Sequence, residues 1–272
     1  MNTISLAALT VLDAGPTGQI RAAAAAGFDA VGLRLNPLLP TDSAVVGDGA
    51  AEAEVKDLLA ETTLGVLEIG VFPIRPDMDV ARLKPIIDFS AAIDAKYIVC
   101  PVEDDDASRR VETFSRLCEL ARPVGLTALV EFNPYSACPD LTCALELVAS
   151  ARQPNAALCV DAFHLSRSGG QPEDLKAVER SLLPIVHFCD APPLPPAQRS
   201  VDEVRRESRT ARLLPGEGSL PLADLLRALP DDVAISVEAP TAENAHLAPA
   251  ERARRALAAT RRVLEGLPAA RR

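Results

Sequence analysis

Short apolar runs recur along almost the whole chain with helix-like stretches between them, and that alternation restricts the fold more than any other feature. Eight runs are evident: ISLAALTVL, AVGLRL, GVLEIGVF, YIVCPV, LTALVEF, AALCVD, IVHFCD and AISVEA. They do not alternate strictly between apolar and polar residues, as suits strands covered on both faces in a parallel sheet. The clearest helical stretches are QIRAAAAAG ending at Gly27, ASRRVETFSRLCELARPVG ending at Gly125, and LPLADLLRALP. A strand-then-helix unit repeated about eight times predicts a closed (β/α) barrel. A doubly wound open sheet makes the same local pattern but usually carries a glycine-rich first turn, and here LDAGPTGQ has no GxGxxG. No GxxxxGK loop is present either.

The expectation is therefore an α/β chain folding as one domain over residues 1–272, an eight-unit (β/α)8 TIM barrel. At 48% hydrophobic, 272 residues can bury one such core. A net charge of -10 and 3% aromatic content supply neither the basic field nor the stacking platforms of nucleic-acid binding. The apolar N-terminus has no preceding Lys or Arg and is closed by Asp13, so it reads as a first strand and not as a signal peptide. No other run is long enough to span a bilayer, and only a short Arg271-Arg272 tail is basic, so a cytoplasmic protein acting on a small molecule is expected. Self-association is left open.

Cys100, Cys118, Cys138, Cys143, Cys159 and Cys189 form no CxxC pair and are expected as reduced thiols packed like small hydrophobes. Cys138 and Cys143 can approach in a loop, but a disulfide is not expected in a reducing compartment. The proline- and charge-rich stretch 191–212 would follow the seventh strand, as a lid over the barrel mouth or as a solvated excursion.

Each of the last four strands carries one metal-competent side chain near its C-terminal end: Glu131, Asp161, His187 and Glu238. Alternation puts Glu131 with Leu129, Asp161 with Cys159, His187 with Cys189, and Glu238 with Ser236. Three carboxylates inside an apolar barrel need a countercharge, because desolvation costs each several kcal/mol. One divalent ion supplies it. Oxygen-rich ligation with one imidazole suits Mn²⁺ or Mg²⁺ best and admits Co²⁺ or Zn²⁺.

In VEFNP, VDAFHLSRSGG, VHFCDAP, LLPGEGSLPL and SVEAP, and more thinly over nearly the whole chain, the sequence resembles the xylose isomerase-like TIM-barrel superfamily of sugar phosphate isomerases and epimerases. Similar members include ketohexose 3-epimerases, hydroxypyruvate isomerase, inosose dehydratase and 3-dehydroshikimate dehydratase. The resemblance implies that Glu131, Asp161, His187 and Glu238 bind one divalent metal, and that His164 contacts substrate oxygens beside it. It also implies that Glu131 and Glu238 act as the acid/base pair on opposite faces of the substrate, and that Arg212 contacts substrate, the alternative for Arg212 being a solvent-exposed residue among Arg205, Arg206 and Arg209. Arg167 and Asp190 are further substrate-binding candidates, each with a structural alternative: an ion pair for Arg167, orientation of a metal ligand for Asp190. Arg34 and Glu68 lie on earlier strands with unknown facing and remain weak candidates.

The implied chemistry is proton abstraction next to a carbonyl of a small polyhydroxylated keto substrate through a metal-stabilised enediolate. A dehydratase would form the same enolate and expel a β-hydroxyl with help from an acid such as His164. The loop PGEGS invites a phosphate assignment, but Glu217 at its centre opposes it, so an unphosphorylated substrate is expected. A Schiff-base aldolase lacks a lysine at a strand end, and an endonuclease IV-like zinc cluster needs more than three histidines. A non-catalytic subunit holding no ion is the remaining alternative.

Overall fold

The computed structural model describes residues 2–38, 42–193 and 200–267. Its strands are β1 Ile4–Leu6, β2 Ala30–Arg34, β3 Gly65–Gly70, β4 Tyr97–Pro101, β5 Thr127–Glu131, β6 Ala156–Asp161, β7 Ile185–Phe188 and β8 Ala234–Val237. All pair in parallel with their sequence neighbours, and β8 returns to β1 through Ile4↔Ile235, Ser5↔Ser236 and Leu6↔Val237, closing the barrel. All eight apolar runs thus supply a strand, and the open-sheet alternative is excluded.

Around the barrel lie α1 Gly15–Ala26, α2 Gly49–Thr62, α3 Lys84–Ala92, α4 Ala107–Ala121, α5 Leu141–Ala151, α6 Ala162–Arg167, α7 Val201–Thr210, α8 Leu222–Ala228 and α9 Pro249–Glu265. Local chemistry sets several boundaries. Asp48, Asp106 and Asp140 accept N–H groups at the starts of α2, α4 and α5, which satisfies donors that a helix leaves unpaired. At the end of α1, Gly27 takes φ 86°, a left-handed turn natural to glycine.

The first run is strand only through Leu6; Ala8–Ala14 forms 3-10 turns. Thr10 explains the bend, since its hydroxyl donates to Val237 O at 2.8 Å and accepts from Ala239 N at 2.9 Å, folding the chain across the end of β8.

Two apolar cores result. The larger lies between sheet and helices. The smaller fills the barrel with Ala30, Leu67, Val99, Leu129, Ala157, Cys159, Ile185 and Ala234. Two residues onward from Leu129, Cys159, Ile185 and Ala234, the same strand faces carry Glu131, Asp161, His187 and Ser236. The inner face thus turns from apolar to ionisable toward the C-terminal mouth. Cys189, expected beside His187, instead belongs to the outer core just past the end of β7.

Cys138 and Cys143 are joined in a disulfide with Cα atoms 5.4 Å apart, contrary to the expected reduced state. The turn after β5 brings them together: Asn133 N donates to Cys138 O at 3.1 Å, and Ser136 accepts from Cys138 N at 3.1 Å. Cys100, Cys118, Cys159 and Cys189 are free and buried, as expected of structural thiols. Among the described residues no helix is long and apolar enough to cross a membrane. Residues 194–199 of the expected lid and the Arg271-Arg272 tail lie outside the described residues. The described remainder of that stretch forms α7, anchored by a buried ion pair in which Arg167 Nη2 meets Glu207 Oε1 at 2.8 Å.

Candidate metal centre

Ligand atoms of Glu131, Asp161, His187 and Glu238 all lie within 4.8 Å of one another. β5 and β6 end on Glu131 and Asp161, β7 carries His187 as its third residue, and Glu238 follows β8 with its N–H bound to Phe188 O at 3.1 Å. Barrel closure therefore converges four residues spread over 108 positions. Asp161 is fully buried, and Glu131, His187 and Glu238 keep only 8%, 3% and 12% exposure, the last for its side chain.

His187 is the hub of the cluster. Its Nδ1 lies 2.9 Å from Glu131 Oε1, 3.5 Å from Glu238 Oε2 and 3.9 Å from Asp161 Oδ2. On its far side Nε2 lies 3.0 Å from Glu68 Oε2. Arg212, only 1% exposed, provides the other cation: Nη1 is 2.6 Å from Asp161 Oδ2 and 3.2 Å from Glu238 Oε2. Ser208 on α7 holds that guanidinium through its carbonyl at 2.7 Å and its hydroxyl at 3.1 Å. Arg212 is thus not a solvated member of the Arg205, Arg206 and Arg209 group.

Protonation follows from this balance of burial and charge. Burial alone would raise the Glu131 carboxyl, but the hydrogen bond and charge of His187 hold it below the usual range. Asp161 is likewise lowered against burial, chiefly by Arg212, with the charge of His187 and the His164 backbone N–H, 2.9 Å from Oδ1, acting in the same direction. Glu238 is pushed up to about 7, because burial there outweighs the attraction of His187 and Arg212. His187 is held well above its ordinary value, against burial, by the carboxylates of Glu238 and Glu68. Cys159 could complete an alternative set with Glu131 and His187, but burial pushes its thiol upward and keeps it a poor thiolate donor.

The residues fit a divalent cation. Ligands about 2.1 Å from a common ion stand roughly 3–4 Å apart, the scale of this cluster. Three carboxylates and one imidazole form a hard donor set, and Glu68 faces the ring nitrogen opposite the one offered to the cluster.

His164 is 2% exposed and packs edge-on against Tyr135 and Phe163, with ring centroids 5.5 and 5.4 Å away. Its Nε2 faces Arg212 Nη2 at 3.4 Å, an arginine that can only donate. That places the ring proton on Nδ1, which is buried without a partner. Asn133 Oδ1, at the end of β5, is a second buried orphan, and Arg34 Nε at the end of β2 a third.

The structure does not bring Arg167 and Asp190 into this cluster. Arg167 is committed to Glu207 and to Pro192 O at 2.9 Å. The Asp190 carboxylate accepts Ala191 N at 2.8 Å, Gly216 N at 3.0 Å and Leu220 N at 2.9 Å. It fills the amide cradle of the PGEGS loop, the place where a phosphate was conceivable. Gly218 permits this close wrap, since a Cβ there would lie 2.3 Å from Ala191 O and 2.4 Å from Asp190 Oδ1.

Glu68 is the member whose place the sequence pattern hides. β2 and β3 pair as Val31↔Val66 and then Gly32↔Glu68, so Leu67 is bulged out of register and simple alternation fails to assign the facing of Glu68. Tyr135 and Ser208 gave no signal either; they meet across 73 residues at 2.9 Å.

A family model for xylose isomerase-like TIM barrels matches residues 20–263. The inosose isomerase of Bacillus licheniformis is 27% identical over 162 residues, 56% of this chain and 55% of that protein. The chain therefore spans about half the length of the curated relative it matches. A solved structure of the IOLI protein with a bound zinc atom has a TM-score of 0.81 and 19% identity, covering 98% of this chain and 99% of that one. D-allulose 3-epimerase from Methylomonas sp. has a TM-score of 0.68 and 18% identity, covering 96% of each chain. At those identities the two structures speak for the fold alone. With the family model spanning most of its length over a closed eight-stranded parallel barrel, the chain belongs to the xylose isomerase-like TIM-barrel family.

Proposed function

We propose that the protein is a divalent-metal-dependent isomerase or epimerase that moves a proton next to the carbonyl of a small, unphosphorylated, polyhydroxylated keto substrate. The observation that carries this reading is the convergence of Glu131, Asp161, His187 and Glu238 within 4.8 Å at the barrel mouth. These four residues would hold the ion, with Mn²⁺ or Mg²⁺ suited to the oxygen-rich set and Zn²⁺ or Co²⁺ also accommodated. A bound divalent ion supplies Lewis-acid polarisation of a carbonyl and its neighbouring hydroxyl. The inosose isomerase relative and the D-allulose 3-epimerase of the same fold are consistent with this class.

The chain's own residues then divide the work. A carbon-bound proton needs a base, and its return elsewhere needs an acid; Glu131 and Glu238 are the pair assigned to these roles. Burial raises Glu238 to about 7 while His187 holds Glu131 low, so the two carboxylates differ in how readily they take a proton. Arg212 grips Asp161 and Glu238, keeping both oriented. The unpaired N–H of His164 and the unpaired carbonyl of Asn133 give one donor and one acceptor for substrate hydroxyls.

His164 favours isomerisation over elimination. Burial, aided by Arg212 and opposed by Asp161, pushes its pKa down. A neutral imidazole orients a hydroxyl but protonates a leaving group poorly. The Asp190 carboxylate in the PGEGS loop supports an unphosphorylated substrate, because the loop amides are already taken by an internal anion.

Solvent-deuterium incorporation tests the proposal across keto-sugars, ketopolyols and dehydroshikimate-like acids with added Mn²⁺. Exchange at carbon without loss of water is the expected outcome for one of the first two groups. Net dehydration would overturn the isomerase assignment, and a purified chain binding no divalent ion would overturn the whole reading.

A further inference from the structure

Glu68 lies on β3, across the barrel from His187 on β7, and yet its Oε2 is 3.0 Å from His187 Nε2. Its other oxygen accepts the Ser236 hydroxyl at 2.6 Å from β8. The side chain is 3% exposed. Gly32 on β2 makes room for it: a Cβ at Gly32 would lie 2.8 Å from Glu68 Oε1 and 3.0 Å from its Cγ. Three strands thus shape a seat for one carboxylate inside the barrel, beneath the imidazole that faces Glu131, Asp161 and Glu238.

A buried carboxylate is costly unless its charge is used. Here one partner is a serine and the other an imidazole. Imidazole offers a lone pair from one nitrogen only when the proton is carried by the other, and an anionic acceptor beside Nε2 favours the proton there. Nδ1 faces Glu131 Oε1 at 2.9 Å among the three carboxylates, so it is the nitrogen whose proton an arriving cation displaces while Glu68 retains the one on Nε2. The bulge at Leu67 turns Glu68 inward to reach the ring, and the Ser236 hydrogen bond fixes the rotation of the carboxylate.

We infer that Glu68 is a positioning residue for the ion site: it holds His187 with its proton on Nε2 and thereby presents Nδ1 as the nitrogen ligand. This rests on the reading of Glu131, Asp161, His187 and Glu238 as ion ligands. Gly32 belongs to the same device, since an alanine there would collide with the seated carboxylate. Glu68 does not itself ligate the ion; it acts through the ring.

The test is calorimetric titration of ion-free protein with Mn²⁺ and with Zn²⁺, for wild type, Glu68→Ala and Glu68→Gln, alongside far-UV circular dichroism. Removing the carboxylate partner of a metal-bound histidine lowers ion affinity about 10–100-fold, and that range is expected for Glu68→Ala with the spectrum unchanged. Glu68→Gln preserves size and loses the charge; it decides the matter if the alanine variant does not fold, with an expected loss of about tenfold. Zinc-loaded wild type should also show His187 protonated at Nε2 in a long-range ¹H–¹⁵N spectrum, readily assigned among three histidines. Wild-type binding with affinities within about twofold in both variants would overturn the role of Glu68 while leaving the ion site standing. No binding by the wild type would overturn both.

Discussion

Asp190 offers the most direct check on how the rim of the barrel is held. Its carboxylate accepts three backbone amides, Ala191 N and Leu220 N on Oδ1 and Gly216 N on Oδ2, while the residue is 1% exposed. A hydrogen bond to a charged acceptor contributes about 1.5–3 kcal/mol, and donors left buried and unpaired cost as much again. The loss in Asp190→Ala is limited because Asp190 and Leu213 still exchange two backbone bonds of 2.9 Å, and water can reach the half-buried Gly216 amide. The expected cost is about 3–5 kcal/mol, a fall in melting temperature on the order of 10 °C for a chain of this size. Asp190→Asn should cost about 1–3 kcal/mol, because its oxygen can keep the Ala191 and Leu220 amides while its NH₂ confronts the Gly216 donor. Thermal and urea unfolding followed by circular dichroism measure both. If Asp190→Ala melts within about 2 °C of wild type, the anchoring argument is wrong. A rise in KM without a stability loss would return Asp190 to the substrate site.

Three other outcomes follow from the same geometry. Glu238→Gln should reduce solvent-deuterium exchange by about 10²–10⁴-fold while leaving the circular dichroism spectrum unchanged, and retained exchange would remove Glu238 from the proton-transfer role. Ion affinity should fall as pH drops, already above neutrality because His187 is held charged well beyond its ordinary range, and more steeply below about 7, where burial leaves Glu238 protonated as well; titration calorimetry at several pH values should show roughly a tenfold loss per pH unit for each proton displaced. Arg167→Ala breaks a buried ion pair whose side chains are 1% and 5% exposed and should cost on the order of 3 kcal/mol, with faster amide exchange across Val201–Thr210; unchanged protection there would mean that Arg167 does not anchor α7.

The barrel was legible because its signal is repeated: eight apolar runs each gave a parallel strand, and runs that extend past their strands, most of all after Leu6, left the topology unaffected. The four metal-competent residues were legible for a related reason. Each sits where a strand leaves the barrel, and alternation relates Leu129 to Glu131 and Cys159 to Asp161 without knowledge of any contact. Contacts between distant side chains left no such trace. Asp190 beside His187 looked like a site residue, yet its partners are backbone amides 26 and 30 residues away, which no side-chain pattern records. Arg167 had two readings until Glu207 met it across 40 residues. Glu68 was obscured by a bulge that breaks period two, and Cys138 and Cys143 are joined by a turn whose hydrogen bonds depend on Ser136.

The filled PGEGS loop constrains any attempt to change what the barrel accepts. Installing a phosphate grip at this rim would require more than added lysines, since the backbone donors at Gly216 and Leu220 already serve a resident carboxylate and Gly218 leaves no slack around it. Emptying the cradle would sacrifice the tie between the seventh strand and the following loop, so a shift toward phosphorylated ligands would have to be accompanied by reinforcement elsewhere in the fold.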